Sequence, residues 1–263
     1  LPLSISQFLS TILVTVDRIV VASMLGVAAL GIYAFAVALS AAGAALGMTV
    51  RTIVFPDLFR QARADDGGTT AATHVDRTVV PFAWLLAPLL GLFALAIGPA
   101  LAWVLPAFAD AAGPARVFVF TGVAQGLVTL GMLGLVAAER QRSLPLITLV
   151  AALVNIVLSI TALTFGLGLV GLAAAALVCR LGYALSILIL ASGAHSIRSA
   201  ARLALQVILP VGSFALLVWL LANALVLTQP GEFGLAMLIY LAATAPVLLL
   251  VLARRSGAAR PTT

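Results

Sequence analysis

The stretch TVDRIVVASMLGVAALGIYAFAV, residues 15–37, decides the fold. Two apolar runs meet at Leu25-Gly26, and the first of them carries an acid and a base side by side, Asp17 and Arg18. A helix needs about 20 apolar residues to cross a hydrocarbon core of about 30 Å. A charge near the centre of such a helix costs roughly 3 kcal/mol on insertion scales. Both residues therefore need partners or a role. The same rhythm of apolar run, turn and apolar run continues through the rest of the chain.

Composition agrees with that reading. The 263 residues are 63% hydrophobic and 8% charged, with a mean hydropathy of +1.25. A soluble domain carries about 25% charged residues, so lipid is the solvent for most of this chain. Strands of a membrane barrel would be about ten residues long and alternate apolar with polar, whereas these runs are continuous and twice that length. The class is all-α, a polytopic membrane helix bundle. Eight spans are expected, at about 3–24, 28–52, 78–104, 114–138, 144–165, 167–192, 203–226 and 232–253. The chain opens on Leu1 and reads as a fragment or a processed product.

All fourteen basic residues are arginine. With abundant alanine, that fits a high-GC bacterial coding sequence. Arg51, Arg60, Arg63 and Arg77 flank or occupy the second connection, Arg140 and Arg142 the fourth, Arg198 and Arg202 the sixth, and Arg254, Arg255 and Arg260 the tail. The odd-numbered connections hold only Arg116, with Asp110 and Glu232. Arginine gathers on the cytoplasmic side of membrane proteins, so both termini are expected in the cytoplasm. The basic excess points to membrane lipids and not to nucleic acid. The odd connections are short and glycine-bearing. The long second connection, FPDLFRQARADDGGTTAATHVDR, is expected to start as an amphipathic helix on the membrane surface and to break at Gly67-Gly68.

Asp17, Arg18 and Arg180 are the charges well inside expected spans, with Gln125, Asn155 and Gln206 as the main buried amides. Asp17 and Arg18 could fasten the bundle through ion pairs, or face a water-filled cavity and meet a polar substrate. Adjacent helical residues point about 100° apart, so the two need not be each other's partner. A guanidinium at Arg180 suits phosphate or carboxylate, whose oxygens its planar fork binds in pairs. Arg51, at the end of the second span, joins Asp17, Arg18 and Arg180 as a candidate substrate-contacting residue, although its length also lets it snorkel to the interface. Cys179 is the only cysteine, which excludes an internal disulfide. With His74 and His195 in loop segments, no metal or cofactor is expected. There is no spaced carboxylate pair, no Ser/His/Asp set and no phosphate-binding glycine loop, so an enzyme is not expected.

The segment VDRIVVASMLGVAALGIYAFAVAL, with its Asp-Arg pair, Leu25-Gly26 and Leu30-Gly31-Ile32-Tyr33, resembles the first hairpin of the second lobe in polysaccharide flippases of the multidrug/oligosaccharidyl-lipid/polysaccharide exporter superfamily. AAERQRSLPLITLVAALVNIVLSITALTFGLGLVGLAAAALV is similar to that family's linker, Asn-bearing helix and Gly-turn hairpin. LPAFADAAGPAR departs from it, standing where members more often carry a Gly-aromatic turn. The resemblance implies a six-helix transporter lobe over 1–195 and an extra two-helix segment with a basic tail over 196–263, lacking an N-terminal lobe. It implies flipping of a lipid-linked oligosaccharide, a polyprenyl-diphosphate sugar, across the bacterial cytoplasmic membrane, with H+ or Na+ as coupling ion. The alternatives are a cation-coupled exporter of the same superfamily and a membrane-embedded polysaccharide polymerase or ligase.

Overall fold

The structure is a computed structural model and describes residues 11, 15, 17–64, 71–137, 143–192, 197–225 and 227–258. The side chains of 46–64, 71–78, 133, 134, 136, 137, 250 and 252–258 are outside that description. In hydrocarbon, each backbone N–H and C=O must find its partner within the chain, which leaves the helix as the local solution. The elements are α1 (residues 17–24), α2 (Gly26–Ala64), α3 (Ala71–Val104), a 3-10 turn (Pro106–Ala111), α4 (Ala112–Val119), α5 (Thr121–Ala137), α6 (Leu144–Thr164), α7 (Gly168–Ser192), α8 (Ile197–Ala224) and α9 (Pro230–Ala258). Among the described residues, seven helical segments are long and apolar enough to cross a membrane. Most of the expected first span, 3–16, lies outside the described residues. The chain is a multi-spanning helical membrane protein.

Two turns show why their glycines are there. Leu25 closes α1 through its N–H on the Val21 carbonyl, and Gly26 then adopts φ +85°. Gly166, at φ +71°, ends α6 in a Schellman motif, with Leu167 N–H on the Ala162 carbonyl and Gly166 N–H on the Leu163 carbonyl. A Cβ makes such left-handed backbone costly, so glycine is the residue these reversals require.

Several expected boundaries differ: α3 starts at Ala71 and takes in His74, expected in a loop, and α8 starts at Ile197. The surface helix expected after residue 52 is continuous with α2, which runs 39 residues, roughly 58 Å. Residues 58–64 are mostly strong helix formers such as Leu, Arg, Gln and Ala, and the helix carries on past Pro56. The expected glycine break at 67–68 lies outside the described residues. The fourth span is not one rod. It begins with a 3-10 turn and bends at Phe120, whose N–H bonds to the Val117 carbonyl, so that α4 and α5 meet at a kink.

Helix α7 packs against α4, α5 and α6, while α2 lies on α4 and α5. Small residues set how closely these helices approach. A Cβ on Gly122 would stand 3.3 Å from the Gly43 carbonyl, and one on Gly126 would overlap the Phe82 ring. Such close backbone approach is how membrane helices gain packing without a hydrophobic force between them. Helices α8 and α9 reach the bundle chiefly through α3, with α8 also touching α7. Tyr240 of α9 donates to the Pro88 carbonyl of α3 at 2.8 Å, and its ring lies against Gly91. The expected boundary between the lobe and the last two helices, near 195, falls among residues outside the description.

One end of the bundle is tied together by aromatic contacts. Phe35 stacks on Phe108 at 4.4 Å, Trp103 Nε1 donates to the Thr228 carbonyl at 3.0 Å, and Trp103 meets Phe233 edge-on. The start of α4 touches the start of α7, Gly113 against Val170. This is the end that carries Asp110, Arg116 and Glu232.

Candidate functional site

Helix geometry separates the two adjacent charges. Asp17 is 1% exposed, whereas Arg18 is exposed on the surface of the bundle. Nothing joins them directly. The Asp17 carboxylate accepts hydrogen bonds from Asn155 Nδ2 at 2.6 Å and Ser159 Oγ at 3.2 Å. Asn155 and Ser159 stand one turn apart on the same face of α6, so one helix presents both donors. The Tyr33 hydroxyl of α2 is a third neighbour, and Arg180 of α7 acts on the carboxylate through space. Asp17 is therefore a buried acceptor that ties α1 to α2 and α6.

Arg180 is placed by the kink in the fourth span. Its Nη1 donates to Thr121 Oγ1 at 3.3 Å. The Thr121 hydroxyl donates in turn to the Phe118 carbonyl at 2.6 Å, at the bend between α4 and α5. Phe118 also sets its ring edge-on to Tyr33, with centroids 5.2 Å apart. Arg180 is half-buried, twelve residues into α7, and so roughly 18 Å along that helix from its first residue. A guanidinium has five N–H donors, and only the bond to Thr121 occupies one among the described residues. The remaining donors can take the oxygens of an anion.

Of the expected site residues, the structure brings Asp17 and Arg180 together and leaves Arg18 apart on the surface. The backbone of Arg51 lies within α2, and its side chain is outside the described residues. Among the amides, Asn155 is 2% exposed and bonded to Asp17. Gln206 is half-buried, with an Oε1 that no group among the described residues donates to. Gln125, expected to be buried, is exposed on α5, although its neighbours Val123, Ala124 and Leu127 are buried.

Sequence reading missed Tyr33, Thr121 and Ser159. Each is a common residue in an apolar run, and only the 155/159 spacing on α6 could have pointed to a paired donor face. Close by, Cys179 Sγ donates to the Ala151 carbonyl at 3.2 Å, and Thr148 and Tyr183 share a hydrogen bond at 3.0 Å. These contacts fasten α6 to α7 beneath the Asp17 cluster. Among the described residues, no group of three His, Cys, Asp or Glu is placed to hold a metal. Comparison with protein-family models, with curated proteins and with solved structures gives no match.

Proposed function

We propose that the chain is a transporter lobe that moves a polyprenyl-diphosphate-linked oligosaccharide across a bacterial cytoplasmic membrane. What supports this reading is Arg180, a half-buried guanidinium in the middle of a membrane bundle with most of its donors uncommitted. Intramembrane charges are expensive and mark pathways when they are not consumed by partners. A diphosphate offers paired oxygens that match the guanidinium fork. In this reading Asp17 is a positioning residue that holds α1 and α6 around Arg180, Arg18 faces outward from the lobe, and a second lobe completes the cavity. A cation-coupled exporter would need an acid open to its cargo, and Asp17 is sealed by Asn155, Ser159 and Tyr33.

The test is translocation of a labelled polyprenyl-diphosphate oligosaccharide in vesicles reconstituted with the protein. Arg180→Lys keeps the charge and loses the two-pronged geometry, so the rate is expected to fall about tenfold, the size of one charged hydrogen bond, with insertion unchanged. An undiminished rate in both Arg180→Lys and Arg180→Gln would sink the proposal.

The same reading places both termini on the cytoplasmic side. Cysteines introduced at Asp110 and Glu232 should react with impermeant maleimide from outside the cell, and one at Arg198 should not. Cys179 is 5% exposed and bonded to a carbonyl, so it should stay silent and can be left in place. Labelling at Arg198 from outside reverses the orientation.

A further inference from the structure

The end of the bundle that is poor in charge nevertheless carries one arginine set into its packing. Arg116 lies on α4, five residues past the 3-10 turn and so roughly 8 Å deeper along the helix. Its guanidinium crosses to α3 and lies over Gly98, where any Cβ would overlap it. Its Nε is buried, and no group among the described residues accepts from it. Among the described residues no carboxylate is near enough to act on it, and Asp110 points into the open. Arg116 is half-buried, and a cation partly withdrawn from water with a buried N–H left unmet is costly. A glycine opposite its head leaves room for that head and denies it any side-chain partner at that position.

The depth identifies what can complete the site. The apolar stretch of α3, Val79–Val104, is 26 residues long, about six more than a bilayer core requires. Gly98 lies six residues from the end of that stretch. Trp103 on the same helix is 52% exposed, and Trp219 near the end of α8 is 60% exposed. Exposed tryptophans favour the headgroup level. The guanidinium is therefore placed just beneath that level, where lipid phosphates meet the hydrocarbon.

We propose that Arg116 and Gly98 form a binding site for the phosphate of a membrane phospholipid, seated between α3 and α4 at this end of the bundle. The guanidinium receives the phosphate oxygens, while the acyl chains run down the apolar surface of the helices. A free phosphate would have to enter the apolar edge of the bilayer to reach the same place, whereas a lipid phosphate already lies at that level. The site is independent of any transport role for Arg180.

The test is native mass spectrometry of the full chain in detergent, titrated with phosphatidylglycerol. Arg116→Gln should lower the apparent affinity about tenfold, as loss of a charged hydrogen bond does. Arg116→Lys should fall between it and the parent, since it keeps the charge without the fork. Gly98→Ala keeps every charge and favours the helix, yet fills the space under the guanidinium. It should reproduce the loss of lipid with unchanged thermal unfolding, and it decides the matter even if Arg116→Gln folds poorly. Parent-like affinity for phosphatidylglycerol in Gly98→Ala and Arg116→Gln overturns the site. Displacement of bound phosphatidylglycerol by millimolar inorganic phosphate overturns the assignment to lipid.

Discussion

Asp17→Ala should destabilise the folded bundle by about 3 kcal/mol, read as reversible unfolding in detergent. The substitution removes the acceptor of two hydrogen bonds, from Asn155 at 2.6 Å and Ser159 at 3.2 Å, and of the Tyr33 contact. In membrane proteins such bonds contribute about 0.6 kcal/mol each, because alternative partners exist in the unfolded chain. They account for less than 2 kcal/mol together. The remainder comes from Arg180, whose charge loses its nearest opposite. Removing one member of a buried pair costs about 3–5 kcal/mol, and a good part of that must be discounted because Arg180 is half-buried and makes no direct bond to Asp17. Asp17→Asn keeps the shape and one acceptor oxygen, so it should cost about 1 kcal/mol. Combining it with Arg180→Gln should cost less than the two single changes added together, since each single change leaves the other charge exposed to an apolar interior. Additive losses would show that Arg180 does not feel Asp17, and a fully stable Asp17→Ala would remove the cluster's structural role.

Gly131→Leu should be of similar or greater effect, about 3 kcal/mol at the upper end of what overpacking costs. Gly131 is buried where α5 meets α7. A Cβ there would stand 2.6 Å from Ile187 Cγ2, 3.3 Å from Leu188 Cδ2 and 3.4 Å from the Leu188 backbone nitrogen. An alanine asks Ile187 to yield, while a leucine forces the helices apart. Gly131→Ala should therefore cost about 1 kcal/mol and Gly131→Leu about three times as much. Because α7 carries Arg180, the leucine should also depress translocation beyond its effect on folded yield. If Gly131→Leu unfolds like the parent, α5 and α7 do not meet as described.

Much of the architecture was legible in the chain. Continuous apolar runs of twenty and more residues can only be helices in lipid, since any other backbone would leave polar groups unmet. The glycine turns at Gly26 and Gly166 were readable for the same local reason. The join of the surface segment to α2 was not, because Pro56 reads as a stop and the strong helix formers after it carried the helix on. Nor was the join of α4 to α5 at Phe120, where the chain tightens to i→i−3 bonds without a helix breaker at that residue.

The sequence alone determined that Asp17 and Arg18 need not be each other's partner, since neighbours on a helix diverge by about 100°. It also put Asp17 and Arg18 inside an expected span, and Arg180 inside an apolar run long enough to cross a membrane. Only the tertiary structure decided which of the first two goes inward. That choice depends on Asn155 and Ser159, some 140 residues away, which present two donors to one side of α1. Arg180 likewise owes its position to the Thr121 hydroxyl at a bend in another helix. A single helix specifies the directions available to its side chains, and the neighbours packed around it select which direction is buried.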